Sequence, residues 1–250
     1  MVAVIHDNSR RKAFKPGSTG WTCDDIDRDP EVRWRWETGR YELIRGVVAA
    51  PGFGPAVATR LAPGSTGWSV ADIESPPFDA EWERNRFELI SGVIAEMPPP
   101  AFSHSFPVFE LLKRLRDHFD EHGEAVRLAS EVDLVIDEST DLIVDGVAVR
   151  AEQLEHARQK GWVGKLRQPP LLVIESVSLG HERHDYDTKR QMLEEFGVEN
   201  YWVINAKEEA VLCLRRRDGR YVEEQATAGG VFTPAAFPGF SVKLADLFLS

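Results

Sequence analysis

Cysteine is scarce: the 250-residue chain has two, Cys23 and Cys213, far apart and outside any CxxC pair. That argues against a disulfide framework and a structural zinc site, and it fits a reducing compartment. No apolar run approaches the roughly 18 residues that a membrane span needs. The N-terminal MVAVIHDNSRRK lacks an apolar core long enough for a secretory signal. The expectation is therefore a soluble, cytoplasmic protein with no membrane partner. There is no Walker loop and no GxGxxG, which speaks against nucleotide hydrolysis and dinucleotide binding. There is no GxSxG elbow either, so Ser178 beside His181 and His184 is not read as a serine-hydrolase triad.

Positive charge is also in short supply, with 30 Lys and Arg against 41 Asp and Glu. Residues 1–60 hold 10 basic and 8 acidic side chains, whereas residues 61–250 hold 20 and 33. Broad electrostatic capture of a polyanion is not written in that balance, so a nucleic-acid role needs a local basic groove or a bound metal. What is present is an ordinary globular mixture, 42% hydrophobic and 28% charged, which rules out a disordered or collagen-like chain.

One internal repeat stands out. Pro16-Gly17-Ser18-Thr19-Gly20-Trp21 recurs letter for letter as Pro63-Gly64-Ser65-Thr66-Gly67-Trp68. Tyr41-Glu42-Leu43-Ile44-Arg45-Gly46-Val47-Val48-Ala49 recurs as Phe87-Glu88-Leu89-Ile90-Ser91-Gly92-Val93-Ile94-Ala95. Two copies are too few for a solenoid and read as a partial tandem duplication. Each copy predicts two short strands meeting at a tight turn. The stretch 50–62, with two Pro and two Gly, reads as a linker. The expected division is a tail over 1–15, a partial repeat with linker over 16–62, and a main domain over 63–250.

Beyond the second copy, Val108, Leu111, Leu112, Leu115 and Phe119 fall at helical spacing, with Gly123 as a stop. Strands are predicted over 126–136, 142–149 and 171–174, with a helix over 151–160. A second amphipathic helix over 185–196 precedes strands over 201–204, 210–216 and 220–225. Asp218-Gly219 is a strong hairpin signal. A final turn covers 244–249. The alternation predicts an α/β or α+β sheet with helices packed on it.

Three acids sit oddly in apolar segments: Glu88, Asp145 and Glu175. A carboxylate within or at the end of a buried strand is costly unless it is paired, hydrogen-bonded or metal-bound. Several together suggest Mg²⁺ or Mn²⁺, since hard cations prefer carboxylate oxygen; the bland alternative for each is a strand edge facing water. Lys189 lies on the buried face of its helix, where a lysine either snorkels outward or serves a site. Asp185, four residues before it, can be an i,i+4 partner or an auxiliary site residue. His104 precedes the long helix and is either a capping or loop residue or a group touching phosphate or metal. His181 and His184 with Asp185 and Asp187 resemble metal ligands only weakly. Arg33-Trp34-Arg35-Trp36 can stack on bases, but it reads more simply as a strand edge or packing patch.

The ordered set resembles a family. It comprises Phe87-Glu88-Leu89-Ile90-Ser91-Gly92, Pro98-Pro99-Pro100 with His104, and Val144-Asp145-Gly146-Val147-Ala148-Val149. It continues with Pro169-Pro170-Leu171-Leu172-Val173-Ile174-Glu175-Ser176-Val177-Ser178, Asp185-x-x-x-Lys189, and Gly197-Val198-Glu199-Asn200-Tyr201-Trp202-Val203-Ile204. From about Gly64 to Leu249 this is similar to the large bacterial Uma-two family of restriction-endonuclease-like proteins, within the PD-(D/E)xK nuclease superfamily. The resemblance implies a restriction-endonuclease-like core: a central mixed sheet flanked by helices, with a metal site at the sheet's fork.

It also implies roles. Asp145 is the motif's aspartate, Glu175 its second acid and Glu88 an extra acid, the three serving as metal ligands. The motif's lysine position holds Val177, and the lysine is displaced to Lys189 on the following helix. Val144 stands where a proline is usual, Gly146 where a larger apolar residue is common, and Val177-Ser178-Leu179-Gly180 replaces a leucine-serine-proline-serine stretch. The implied activity is Mg²⁺- or Mn²⁺-assisted phosphodiester hydrolysis of nucleic acid, with DNA favoured. In that scheme Asp145 and Glu175, with the carbonyl after Glu175, hold the metal, Lys189 steadies developing charge, and Glu88 orients water. A homodimer is suggested by fold analogy. The acidic balance favours the alternative, a nuclease-fold module that binds nucleic acid or a protein without cutting. A further alternative has the first repeat copy lending a strand to a partner. Glu42, with no downstream acid and lysine series of its own, is expected to be structural or part of an extra hairpin at the sheet edge.

Overall fold

A computed structural model describes residues 15–39, 41–45, 47–50, 55, 58–97, 99–162, 164–177 and 184–248. Ser178 and His181 therefore lie outside the described residues, as does the side chain of Glu42.

The first repeat copy forms α1 (Cys23–Arg28), α2 (Pro30–Gly39) and the hairpin β1 (Glu42–Ile44) with β2 (Val47–Ala49). The second forms α3 (Val70–Ile73), α4 (Asp79–Arg84) and the hairpin β3 (Phe87–Ile90) with β4 (Val93–Glu96). Both hairpins are antiparallel. Ser91 at φ 49° and Gly92 at φ 79° make the turn between β3 and β4, the left-handed pair that a two-residue hairpin demands.

The short helices were not predicted, although a signal for two of them is present. Thr22 with Asp25, and Ser69 with Asp72, form reciprocal capping boxes at the starts of α1 and α3. The Arg33–Trp36 tract lies within α2 rather than on a strand edge. Trp36 packs there against a cluster of Trp21, Ile26 and Val48.

The rest of the chain runs α5 (Phe102–Glu121), β5 (Val126–Asp137), β6 (Thr140–Arg150), α6 (Ala151–Gln159), β7 (Lys165–Leu166) and β8 (Leu172–Ser176). A π-helical turn over His184–Lys189 leads into α7 (Arg190–Phe196). Then come β9 (Asn200–Asn205), β10 (Ala210–Arg217), β11 (Arg220–Ala228), and the small pair β12 (Val231–Phe232) with β13 (Val242–Lys243). Gly197 at φ 101° closes α7 as the left-handed cap that the pattern predicted. Asp218 and Gly219, at φ 50° and 83°, turn β10 into β11.

The main sheet runs β11-β10-β9-β8-β6-β3-β4, with β5 on β6 and β7 on β5. It is mixed: β8 and β9 are parallel, while β6 is antiparallel to β5 and β8. Alternation assigns the two faces. Leu172, Ile174, Trp202 and Ile204 face α5 and the C-terminal aromatics, among them Phe232, Phe237 and Phe240. Val173, Tyr201 and Val203 face α7 through Met192 and Leu193. Glu175, two residues after Val173, inherits the α7 face.

On the edge away from β5, β6 meets two neighbours along its length. Near its start Leu89 of β3 pairs with Asp141, and further on Gly146, Val147 and Ala148 pair with β8. Between these contacts β3 and β8 diverge, and the sheet forks beside Ile143.

Candidate active site at the sheet fork

A fork leaves backbone groups without a ladder partner, and buried N–H and C=O groups must be satisfied some other way. Here side chains do it. The Ile143 N–H donates to Glu88 Oε1 at 3.0 Å, and the Ile143 carbonyl accepts from Lys189 Nζ at 2.8 Å. Lys189 also donates to Glu175 Oε1 at 2.9 Å and pairs with Glu88 Oε1 at 3.0 Å. It is 2% exposed, so it points inward rather than snorkelling. The wide π turn, a distortion frequent at functional sites, carries Lys189 at its last position. At the turn's start His184 places Nε2 2.8 Å from Glu88 Oε2. Tyr201 Oη donates to the Asp185 carbonyl at 2.8 Å, tying the turn to β9.

Asp145 sits at the mouth. Its Oδ2 accepts the Ser176 N–H at 2.8 Å, across from β6 to β8, and lies 3.3 Å from His104 Nε2. His104 belongs to the first turn of α5 and not to a preceding loop, since the helix begins at Phe102. Asp145, Glu175, Asp185, Lys189 and His104 line one cleft together with Arg86. Arg86 was not predicted as a site residue. It pairs with Glu131 at 3.0 Å, and its Nε is buried with no partner among the described residues. No motif marks it, because an arginine before a strand is ordinary.

The electrostatics follow from four carboxylates around one ammonium. Burial alone would raise the Glu88 carboxyl, but Lys189 and His184 against it outweigh that and hold it at about 2. Glu175 is pushed well above the usual carboxylate range by burial and by the nearby Asp145 and Asp185, against the pull of Lys189. Lys189 is held well above the usual lysine value, because Glu175 and Glu88 overcome its own burial.

That donor set suits a hard divalent cation. Asp145 and Glu175 supply carboxylate oxygens from adjacent strands, and an added positive charge would relieve the raised Glu175. Among the described residues no group of three or more His, Cys, Asp or Glu side chains is placed to hold a metal ion. Mg²⁺ does not require one, since it is usually bound by one or two carboxylates with water and substrate phosphate. Glu88, expected as a third ligand, is fully buried, lies outside the cleft lining, and has both oxygens engaged by Ile143, Lys189 and His184. His184 faces Glu88 and is likewise not among the residues lining the cleft.

The sequence profile of a family described as "Putative restriction endonuclease", Uma2, matches residues 76–245. The chain belongs to the Uma2 family. No curated protein matches it. Among solved structures, a "putative nuclease belonging to DUF820" from Anabaena variabilis ATCC 29413 is similar, with a TM-score of 0.52 and 16% identity. The alignment covers 64% of this chain and 88% of that one. At this identity the likeness speaks for the fold alone: a large mixed sheet flanked by helices. Among the described residues no helix is long and apolar enough to cross a membrane.

Proposed function

We propose that this chain is a Mg²⁺- or Mn²⁺-dependent endonuclease that hydrolyses phosphodiester bonds of nucleic acid, with DNA the favoured substrate. The observation that carries the reading is the convergence of Asp145, Glu175 and Lys189 on the cleft at the sheet fork. Asp145 and Glu175 would hold the cation. When bound, it would polarise the phosphate and lower the pKa of a water.

The chain's own groups do the rest. Lys189 keeps a charged ammonium at the cleft floor, where it can stabilise negative charge developing on the phosphoryl oxygens. Its three acceptors aim it: Glu175, Glu88 and the Ile143 carbonyl. Glu88 is therefore a positioning residue for Lys189, with His184 behind it. Arg86 offers a guanidinium to a phosphate. His104, beside Asp145, is placed to orient that carboxylate or to contact phosphate.

The test pairs calorimetric titration of Mn²⁺ and Mg²⁺ with nicking of supercoiled plasmid, in wild type and in Asp145→Ala. Metal binding and nicking in the wild type, both lost in the variant, are expected. No binding at millimolar metal would overturn the proposal. It would favour the second reading, a non-cutting module, for which the 33 acidic against 20 basic side chains of residues 61–250 speak.

A further inference from the structure

The repeat found in the sequence is mated to itself in the fold. Within each copy the contacts correspond. Trp21 Nε1 donates to Ser18 Oγ at 2.9 Å and Trp68 Nε1 to Ser65 Oγ at 2.8 Å. Gly17 N–H donates to the Val48 carbonyl at 2.8 Å and Gly64 N–H to the Ile94 carbonyl at 2.7 Å.

Between the copies the contacts are reciprocal. Ala50 N–H of the first copy donates to the Gly64 carbonyl of the second at 3.0 Å. Glu96 N–H of the second donates to the Gly17 carbonyl of the first at 3.3 Å. A Cβ added to Gly17 would lie 2.6 Å from Pro63 Cβ, and one added to Gly64 would lie 2.5 Å from Pro16 Cβ. The apolar seam is matched too: Ile44, Val47 and Ala49 share one cluster with their counterparts Ile90, Val93 and Ala95.

Such reciprocity, residue i on j and j on i, is the signature of an isologous two-fold interface. Here it is closed inside one chain. Because both copies present the same apolar residues and the same backbone groups along the seam, the face of the second copy is self-complementary. It lies beside β4, the end strand of the main sheet, whose outer edge is bonded at Ile94 by Gly64 and Ser65 of the same copy and at Glu96 by Gly17 of the first copy.

We infer that this face is a dimerisation surface whose fitting partner is the second repeat copy of another molecule of this chain, and that the first copy occupies the partner's place. Two features favour the internal mate. The tether supplies a millimolar effective concentration. Two ion pairs are also peculiar to the first copy: Lys15 Nζ with Glu96 Oε2 at 2.6 Å, and Arg45 with Glu195 at 3.3 Å. The equivalent positions in the second copy are Ala62 and Ser91, which cannot make them.

The test is the mass of full-length variants in solution by light scattering. Gly17→Val, at φ 80° and against Pro63, unseats the first copy and leaves the second intact. It should double the mass of the wild-type species, and Gly17→Val/Gly64→Val should return it to the wild-type value. A folded Gly17→Val chain of unchanged mass overturns the proposal. So does a doubled mass that persists in the double variant, since association would then use another face. Should Gly17→Val not fold, Lys15→Ala/Arg45→Ser weakens only the internal mating. That variant should gain mass with concentration up to about 1 mM, the range a short tether matches, and constant mass overturns the proposal.

Discussion

Lys189 is the residue on which the geometry of the fork depends, and Lys189→Met tests that dependence. The change keeps an unbranched side chain and removes the ammonium. Glu175, Glu88 and the Ile143 carbonyl each lose a donor at 2.8 to 3.0 Å. Removing one partner of a buried ion pair costs about 3–5 kcal/mol, because the other charge stays buried and uncompensated. Glu88 retains His184 and the Ile143 N–H, so most of the loss should be felt at Glu175.

The penalty depends on pH with a definite sign. Without the ammonium Glu175, already raised by burial, titrates further above an unfolded glutamate, near about 4.3. The folded variant then binds protons more tightly than its unfolded chain, so it loses stability as pH rises above that value. Urea unfolding followed by circular dichroism, with a chelator present, should show the full loss at pH 8 and a smaller one at pH 5. Lys189→Met/Glu175→Gln should be less destabilised than the sum of its single changes, by about 1–3 kcal/mol for groups in contact. A loss below about 1 kcal/mol at pH 8, strict additivity, or a larger loss at pH 5 would refute the assignment of a buried, paired ammonium.

Three further outcomes are expected. Asp145→Asn should abolish plasmid nicking while shifting stability by no more than about 1 kcal/mol, since the amide oxygen can still accept the Ser176 N–H; an active Asn variant sinks the metal-ligand role. Gly146→Val should cost about 1–3 kcal/mol by overpacking. Even a single Cβ there would sit 3.2 Å from Val108, 3.3 Å from Leu112 and 3.4 Å from Ile174, so an unchanged urea midpoint would mean that α5 yields freely. Asp141, pushed up to about 6 by burial against the pull of Lys165, holds its proton more tightly folded than unfolded. Stability should therefore fall between about pH 4 and pH 6 and level off above. Wild-type and Asp141→Asn curves should diverge over that window by up to about 3 kcal/mol, at about 1.4 kcal/mol per unit, and parallel curves would contradict it.

Much of the fold was legible because its signals are local. The apolar spacing of α5, the alternation of β5, the continuous apolar runs of β8 and β9, the left-handed turn pairs and the cap at Gly197 each depend on near neighbours in the chain. The short helices α1 and α3 were missed although their capping boxes are equally local, because four to six residues carry too little periodicity to register. The acids at the fork were legible for a different reason: a carboxylate in an apolar strand is anomalous wherever the strand goes.

The amino-acid sequence alone determined the family, the repeat, most of the strand and helix order from α5 onward, and the residue types from which a site could be made. The tertiary structure decided how those residues are used. Only the divergence of β3 from β8 along β6 turns Glu88 inward to hold Lys189 and leaves Asp145 and Glu175 at the cleft. Only the folded arrangement brings in Arg86 and seats one repeat copy on the other. The physical reason is that burial and partner choice belong to groups distant in the chain: Glu88 and His184 meet across 96 positions. Neither spacing nor composition encodes that one ammonium will take both Glu88 and Glu175.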